Sequence, residues 1–278
     1  MRGIEILDPG PHALIQDLGR PGHAHLGVPP SGALDAPALR LANRLVGNDE
    51  SAAGVECLLG GLTLKARVPC TVAVTGPPVD VSPGCSHMPL FLKPGQTLSI
   101  GTPATGLRSY LAVSGGLTVE PALGSRSRDV LSAIGPEPLK AGDVLPLGEP
   151  GVPCGWDVIR PAVAPPELIV PVTLGPRDDW FDDPAGSLAK AWTVTSESNR
   201  VGLRFEGKSL RRAGEIVELP SEGVLTGAIQ VPPSGLPVLF LADHPTTGGY
   251  PVVAVAARGA LSALGQARPG TTVRFRPS

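Results

Sequence analysis

The chain has 278 residues, 42% of them hydrophobic and only 17% charged, with a formal net charge of -2. That balance excludes a disordered chain and gives no electrostatic case for nucleic acid or an anionic membrane surface as partner. The 36 glycines and 33 prolines are dispersed as punctuation between short apolar runs, the pattern of strands and tight turns.

The opening MRGIEILDPG has no apolar signal core, and no apolar run reaches membrane-spanning length, so the chain reads as cytoplasmic. Gln16-Asp17-Leu18-Gly19-Arg20-Pro21-Gly22 follows. It sets an amide, an acid and an arginine on a Gly/Pro turn, and arginine there suits a carboxylate or phosphate. In His23-Ala24-His25 a strand would send both imidazoles to one side, but two ligands do not make a metal site. A turn histidine and a site-lining His25 are the expected roles.

One helix is expected near 35–46. Leu34, Ala38, Leu41, Ala42 and Leu45 share a face, Asp35 is placed to cap, Pro37 sits in the first turn and Gly47 closes the end. Alternation then marks strands at Leu62–Ala66, Thr71–Thr75, Gln96–Ile100, Ser109–Val113, Glu167–Val170 and Val238–Leu241. Turn signals such as Gly76-Pro77-Pro78 and Lys93-Pro94-Gly95 separate them, as in barrels and sandwiches. A second short helix is expected near Ala257–Leu264. Cys57, Cys70, Cys85 and Cys154 lack CxxC spacing and read as buried reduced thiols. The Pro/Gly-rich stretch 151–166 is the expected linker between an N-terminal β domain at 1–150 and a C-terminal one at 167–278.

Gly202 to Ser209 matches the phosphate-loop pattern GxxxxGK[ST]. Its interior Leu203-Arg204-Phe205-Glu206 alternates like a strand, so a hairpin turn at Gly207-Lys208 is the better reading. The acidic run Arg177–Asp183 reads as a solvated loop anchored by Trp180 and Phe181. The densest chemistry lies in Asp243-His244-Pro245-Thr246-Thr247-Gly248-Gly249-Tyr250, where a double glycine lets backbone amides approach an anion. The pentapeptide VPPSG occurs at 28–32 and again at 231–235. One copy opens a helix and the other enters a strand, so the repeat is convergence on a rigid turn.

Taken in order, QDLGRPG, VPPSGALD with LRLANRLVGN, Leu59-Gly60-Gly61, Tyr110–Gly116, Leu123-Gly124-Ser125-Arg126-Ser127, Gly175-Pro176-Arg177, Asp179-Trp180-Phe181, Ser198–Gly202, TGAIQVPPSG and TTGGYP closely resemble one family. It is the family of the 5-oxoprolinase C-type subunit, also called KipA-type or allophanate hydrolase subunit 2-type, related to the carboxyltransferase region of urea carboxylase. The resemblance implies a mainly β protein of two cyclophilin-like β-barrel domains with a few short helices. It implies two partners, the KipI-type B component and the A component of 5-oxoprolinase, and ATP-dependent opening of 5-oxo-L-proline to L-glutamate by the complex. ATP could bind on a partner, and no biotin-attachment sequence is present, so any biotin would arrive on another protein.

Under that resemblance, Asp243 and Asp35 are candidate acid/base or amide-orienting residues. Arg20 and Arg200 would bind an anion, with Thr246, Thr247, Gly248 and Gly249 as an anion-facing loop and Tyr250 lining the pocket. Gln16, Asp17, His25, Ser31, Gln230 and His244 complete the candidate substrate-binding set. Several of these residues could instead brace turns, and Asp35 is equally a helix cap. The family often carries Gln where this chain has Pro245, so a role of that amide falls to His244 or is lost. Two other readings stay open: a KipA-type protein that sequesters a KipI-type kinase inhibitor, and a carboxyltransferase or allophanate hydrolase-type component of a biotin-dependent, urea-like pathway.

Overall fold

The structure, a computed structural model, describes residues 2–153, 163–214 and 219–277. The chain is mainly β and divides into two compact units. The division is not a single cut near residue 150. Pro21–Pro30 and Val130–Ser132 belong with Pro165–Ser278 in the second unit, and the rest of the N-terminal part forms the first. Of the expected linker 151–166, residues 154–162 lie outside the described residues, as does Cys154.

The first unit contains two five-stranded antiparallel sheets. One runs in the order Val144–Pro146, Gly3–Pro9, Leu62–Ala66, Thr97–Ile100, Val81–Ser82. The other runs His12–Gln16, Gly54–Leu58, Arg108–Val113, Cys70–Thr75, Leu90–Leu92. Ile4, Ile6, Leu62, Leu64 and Leu98 of the first sheet share a core with Ile15, Val55, Val72 and Leu111 of the second. Each large aliphatic side chain removed from water there contributes about 1.5–3 kcal/mol.

The helix forms at Ala36–Leu45, and the Asp35 carboxylate accepts from the Ala38 N–H at 3.2 Å. It packs on the second sheet: Ala42, Leu45 and Val46 meet Ala73 and Ala112, while Ala38 and Leu39 meet Tyr110. This explains why all six residues of Arg108–Val113 are buried despite their alternating sequence. Leu111 and Val113 face the sandwich core, and Tyr110 and Ala112 face the helix. The expected apolar face omitted Leu39 and Asn43, both fully buried, and included Leu41, which is only half-buried. Asn43 is tolerated inside because its amide donates to the Ala52 carbonyl at 2.7 Å and accepts from Asn48 at 3.0 Å.

Cys57 and Cys70 are buried thiols. Burial pushes Cys70 up to about 11 and Cys57 further still. Cys85 corrects the expectation: it is exposed, in a turn just beyond the two-residue strand Val81–Ser82.

In the second unit the hydrogen-bonded ladder closes on itself. The seven-stranded barrel runs Glu167–Leu174, Val252–Ala256, Ala228–Gln230, Val238–Phe240, Gly202–Glu206, Trp192–Val194, Thr272–Pro277. Its first and last strands pair in parallel, with Val170 opposite Phe275, and the other pairs are antiparallel. Trp192, Phe205 and Phe275 fill the interior, the two phenylalanines meeting edge to face at 5.5 Å. Gly202–Glu206 is a barrel strand, so the phosphate-loop pattern has no phosphate-cradling geometry there. The second short helix is present as a 3-10 turn at Arg258–Ala260 running into Leu261–Gly265.

Candidate functional site

Two groups of polar side chains stand out, one in each unit, and they are built differently. In the first unit, Gln16 and Asp17 lie at the end of the strand His12–Gln16. The Asp17 carboxylate accepts from the Gly19 N–H at 2.7 Å, from the hydroxyls of Ser125 and Ser127 at 2.6 Å each, and from the Arg126 N–H at 2.6 Å. The Arg20 guanidinium, only 2% exposed, donates to the carbonyls of Ala122 and Ser127 and to the Ser31 hydroxyl. Gln16 donates to the Arg128 carbonyl at 2.8 Å, and its own Oε1 is buried with no partner among the described residues.

Ser31 has the left-handed φ of 54°, and Gly32 follows at 93°. A Cβ at Gly32 would lie 2.9 Å from the Gly19 nitrogen, so only glycine lets this turn seat on the Leu18-Gly19 backbone. The Ala33 N–H completes the seat by donating to the Asp17 carbonyl at 2.9 Å. Gln16, Asp17, Arg20 and Ser31 thus form one node, with these hydrogen bonds going to loops of the same unit. Asp35 acts as a helix cap. Its N–H donates to the Tyr110 hydroxyl at 2.8 Å, which in turn donates to Glu56 at 2.8 Å. Glu56 also accepts from the Leu34 N–H and pairs with Arg108 at 3.4 Å. Burial and the neighbouring carboxylates of Glu56 and Asp35 hold the Tyr110 phenol well above its usual range.

In the second unit the cluster grows from two barrel strands. Arg200 precedes Gly202–Glu206, and Asp243 follows Val238–Phe240, whose register sets Gly202 opposite Phe240. The pairing brings the two side chains together inside the unit, at 4% and 0% exposure. Arg200 Nε reaches one carboxylate oxygen of Asp243 at 2.8 Å and Nη2 the other at 3.1 Å, a forked ion pair. The Val130 N–H donates to the same carboxylate at 3.1 Å, and residues 130–132 belong to this unit. The ion pair anchors the loop that follows Asp243.

That loop carries the accessible chemistry. His244 is buried, with Nδ1 at 2.7 Å from the Pro245 carbonyl and Nε2 at 3.1 Å from the Thr226 hydroxyl. The Phe240 ring stacks on the imidazole at 5.7 Å. Thr246 accepts from the Val224 N–H through its carbonyl, and Thr247-Gly248 pairs with Glu222-Gly223 as a two-residue ladder. Gln230 is buried and donates to the Tyr250 carbonyl at 2.9 Å. A Cβ on Gly248 would fall 2.6 Å from the Gln230 amide nitrogen, so the glycine admits this close approach. Thr247 and Tyr250 are exposed at the lip, and Gly249 is half-buried.

The structure therefore gathers Arg200, Gln230, Asp243, His244 and Thr246–Tyr250 in one unit, and Gln16, Asp17, Arg20, Ser31 and Asp35 in the other. His25 falls with the second unit, exposed on the 3-10 turn Ala24–Leu26 and not on a strand; Gly27, at a φ of 75°, ends that turn. The acidic run forms the 3-10 turn Asp178–Trp180, and Asp183 caps Pro184–Leu188. The guanidiniums of Arg177 and Arg212 lie over the Trp180 ring at 5.6 and 5.4 Å. Sequence reading missed Thr226, Val130 and Phe240 as neighbours of the loop, and Glu56 and Tyr110 beneath Asp35. The Ser125-Arg126-Ser127 motif was visible, but not as the partner of Asp17.

A β protein with a seven-stranded barrel and these glycine-built loops is of a defined class: the chain belongs to the carboxyltransferase domain, subdomain A and B family, whose model matches residues 26–277. It is similar to the C-type subunit of 5-oxoprolinase from Escherichia coli K12, at 36% identity over 98% of this chain and 90% of that protein. It is also 36% identical to urea amidolyase of Saccharomyces cerevisiae, over 99% of this chain and 16% of that much longer protein. Among solved structures, TTHA0988 superimposes with a TM-score of 0.88 at 36% identity, covering 99% of this chain. The chain spans 56% of that solved protein's length.

Proposed function

We propose that this chain is the C-type subunit of a 5-oxoprolinase and takes part, with A-type and KipI-type B components, in ATP-dependent opening of 5-oxo-L-proline to L-glutamate. The observation that supports this reading most is the end-to-end match with a protein of that name, against a match to only a small part of the urea amidolyase. The site in the barrel unit suits work on a small amide. Asp243 and Arg200 neutralise each other and fix the loop. His244 supplies a group that can move a proton, and Thr246–Tyr250 offers hydroxyls and glycine amides at an accessible lip. The one phosphate-loop pattern in this chain is a strand, so no step of ATP chemistry is assigned to its residues.

The test is reconstitution. The purified chain is mixed with A- and B-type components, 5-oxoproline and ATP, and glutamate is measured. Release that requires all components supports the reading. A complex that forms but releases no glutamate contradicts it, and turnover of urea with a carboxylated biotin carrier would replace it with carboxyl transfer.

A further inference from the structure

We infer that Thr226 and His244 form a hydroxyl–imidazole dyad able to take an acyl group from a small activated acyl compound. The inference goes beyond the proposed complex and concerns the isolated chain. A carbonyl oxygen can only accept, so the 2.7 Å contact between His244 Nδ1 and the Pro245 carbonyl places a hydrogen on Nδ1. In the neutral ring Nε2 then carries the lone pair, and the hydroxyl of Thr226 at 3.1 Å is its donor. This is the arrangement of an activated nucleophile: a hydroxyl on a base, with the base oriented by a third group.

The surroundings hold the pair in register. Thr226 sits in a tight turn whose next residue, Gly227, has a φ of 89° and donates to the Phe240 carbonyl at 2.8 Å. The ring of the same Phe240 stacks on His244. The base is therefore shielded, at 3% exposure, while Thr226 is only half-buried. Neither Thr226 nor this pairing stands out in the sequence, because the two residues are separated by the strands Ala228–Gln230 and Val238–Phe240.

The step balances with water as the only further reactant. Thr226 Oγ1 attacks the acyl carbon as its proton passes to His244 Nε2. The bond to the leaving group breaks with its electron pair, and the Nε2 proton is delivered to it. Water, deprotonated by the same Nε2, then attacks the ester carbon; the bond to Thr226 Oγ1 breaks, Nε2 returns the proton to that oxygen, and the free carboxylic acid leaves with the dyad restored. The Nδ1 hydrogen stays directed at the Pro245 carbonyl throughout.

The probe is p-nitrophenyl acetate with the full chain alone, in a Cys85→Ser, Cys154→Ser background, so that neither the exposed thiol of Cys85 nor the thiol at position 154 competes for the acyl group. The expected result is a burst of p-nitrophenolate with one acetyl group mapped to Thr226 by peptide mass analysis. Thr226→Val and His244→Asn should each slow the burst on the order of 10²-fold, and Thr226→Ser should retain it. If His244→Asn fails to fold, Thr226→Val, which keeps the side-chain shape, decides alone. An acetyl group mapped to Thr246, Thr247 or a lysine, or a burst unchanged in Thr226→Val, overturns the dyad. Because neither ATP nor any partner protein is present, that failure is distinct from failure of the 5-oxoprolinase reading.

Discussion

Asp17 with Arg20, and Asp243 with Arg200, look interchangeable as sequence: an acid and an arginine in glycine- and proline-rich surroundings. Folded, they differ in what each charge meets. Asp17 collects two serine hydroxyls and two backbone amides, while Arg20 directs its guanidinium to carbonyls and a serine. That node ties loops together, its charges turned toward the chain itself. Asp243 and Arg200 satisfy each other inside the second unit, and the next residue along, His244, meets a hydroxyl. A charged residue is thus a poor guide to a site until its partners are known.

The comparison can be broken by mutation, most severely at the ion pair. Arg200→Ala leaves a buried carboxylate with its main partner gone and should lower stability by about 3–5 kcal/mol in denaturant unfolding. Asp17→Ala strands two hydroxyls, which can rotate to other acceptors, and two backbone N–H groups, at a cost of about 1.5–3 kcal/mol. A larger loss at Asp17 than at Arg200 would reverse the ranking. Gln230→Ala removes the single bond to the Tyr250 carbonyl and should cost about 1 kcal/mol, with slower turnover if the Gly248-Gly249 backbone shifts.

A smaller effect concerns pH and belongs to the first unit. Burial lowers the pKa of His87, whose Nδ1 has no partner among the described residues, although a hydrogen bond to the Gly76 backbone partly opposes the shift. With the folded pKa below the unfolded one, the unfolded chain binds more protons in the interval between them. His87 therefore favours folding fully above about pH 6.5 and loses that contribution as pH falls toward its folded pKa. The midpoint of unfolding should drop on acidification through that window, and His87→Asn, which tolerates the residue's left-handed φ of 63°, should flatten the drop. Smallest of all, Tyr250→Phe at an exposed side chain should change stability by less than about 0.5 kcal/mol, so any loss of turnover reports on the site.

Much of this was legible beforehand, for local reasons. The helix Ala36–Leu45 announced itself through Asp35, Pro37 and a period of 3.6, and Gly202–Glu206 read as strand through its alternation. The dense loop Asp243–Tyr250 stood out by composition. What stayed hidden was long-range. The burial of Tyr110 depends on a helix covering the outer face of its sheet, and the contact of the Val130 amide with Asp243 spans more than a hundred residues of sequence. Thr226 was unreadable because a hydroxyl becomes a candidate only when a barrel register sets it against an imidazole. The capping of Ala36–Leu45 by Asp35 was readable from its place before the helix, whereas the carbonyls and the serine that Arg20 meets lie in loops that no local spacing brings together.

The proposed seat of the chemistry is the His244 loop and not the Gln16–Arg20 node. It is tested most directly by glutamate release from the reconstituted assembly carrying either His244→Asn or Arg20→Lys, each first shown to be folded by circular dichroism. The expected result is a kcat lowered on the order of 10²-fold for His244→Asn and left unchanged for Arg20→Lys. Full turnover with His244→Asn, together with loss of turnover in a folded Arg20→Lys assembly, would contradict it.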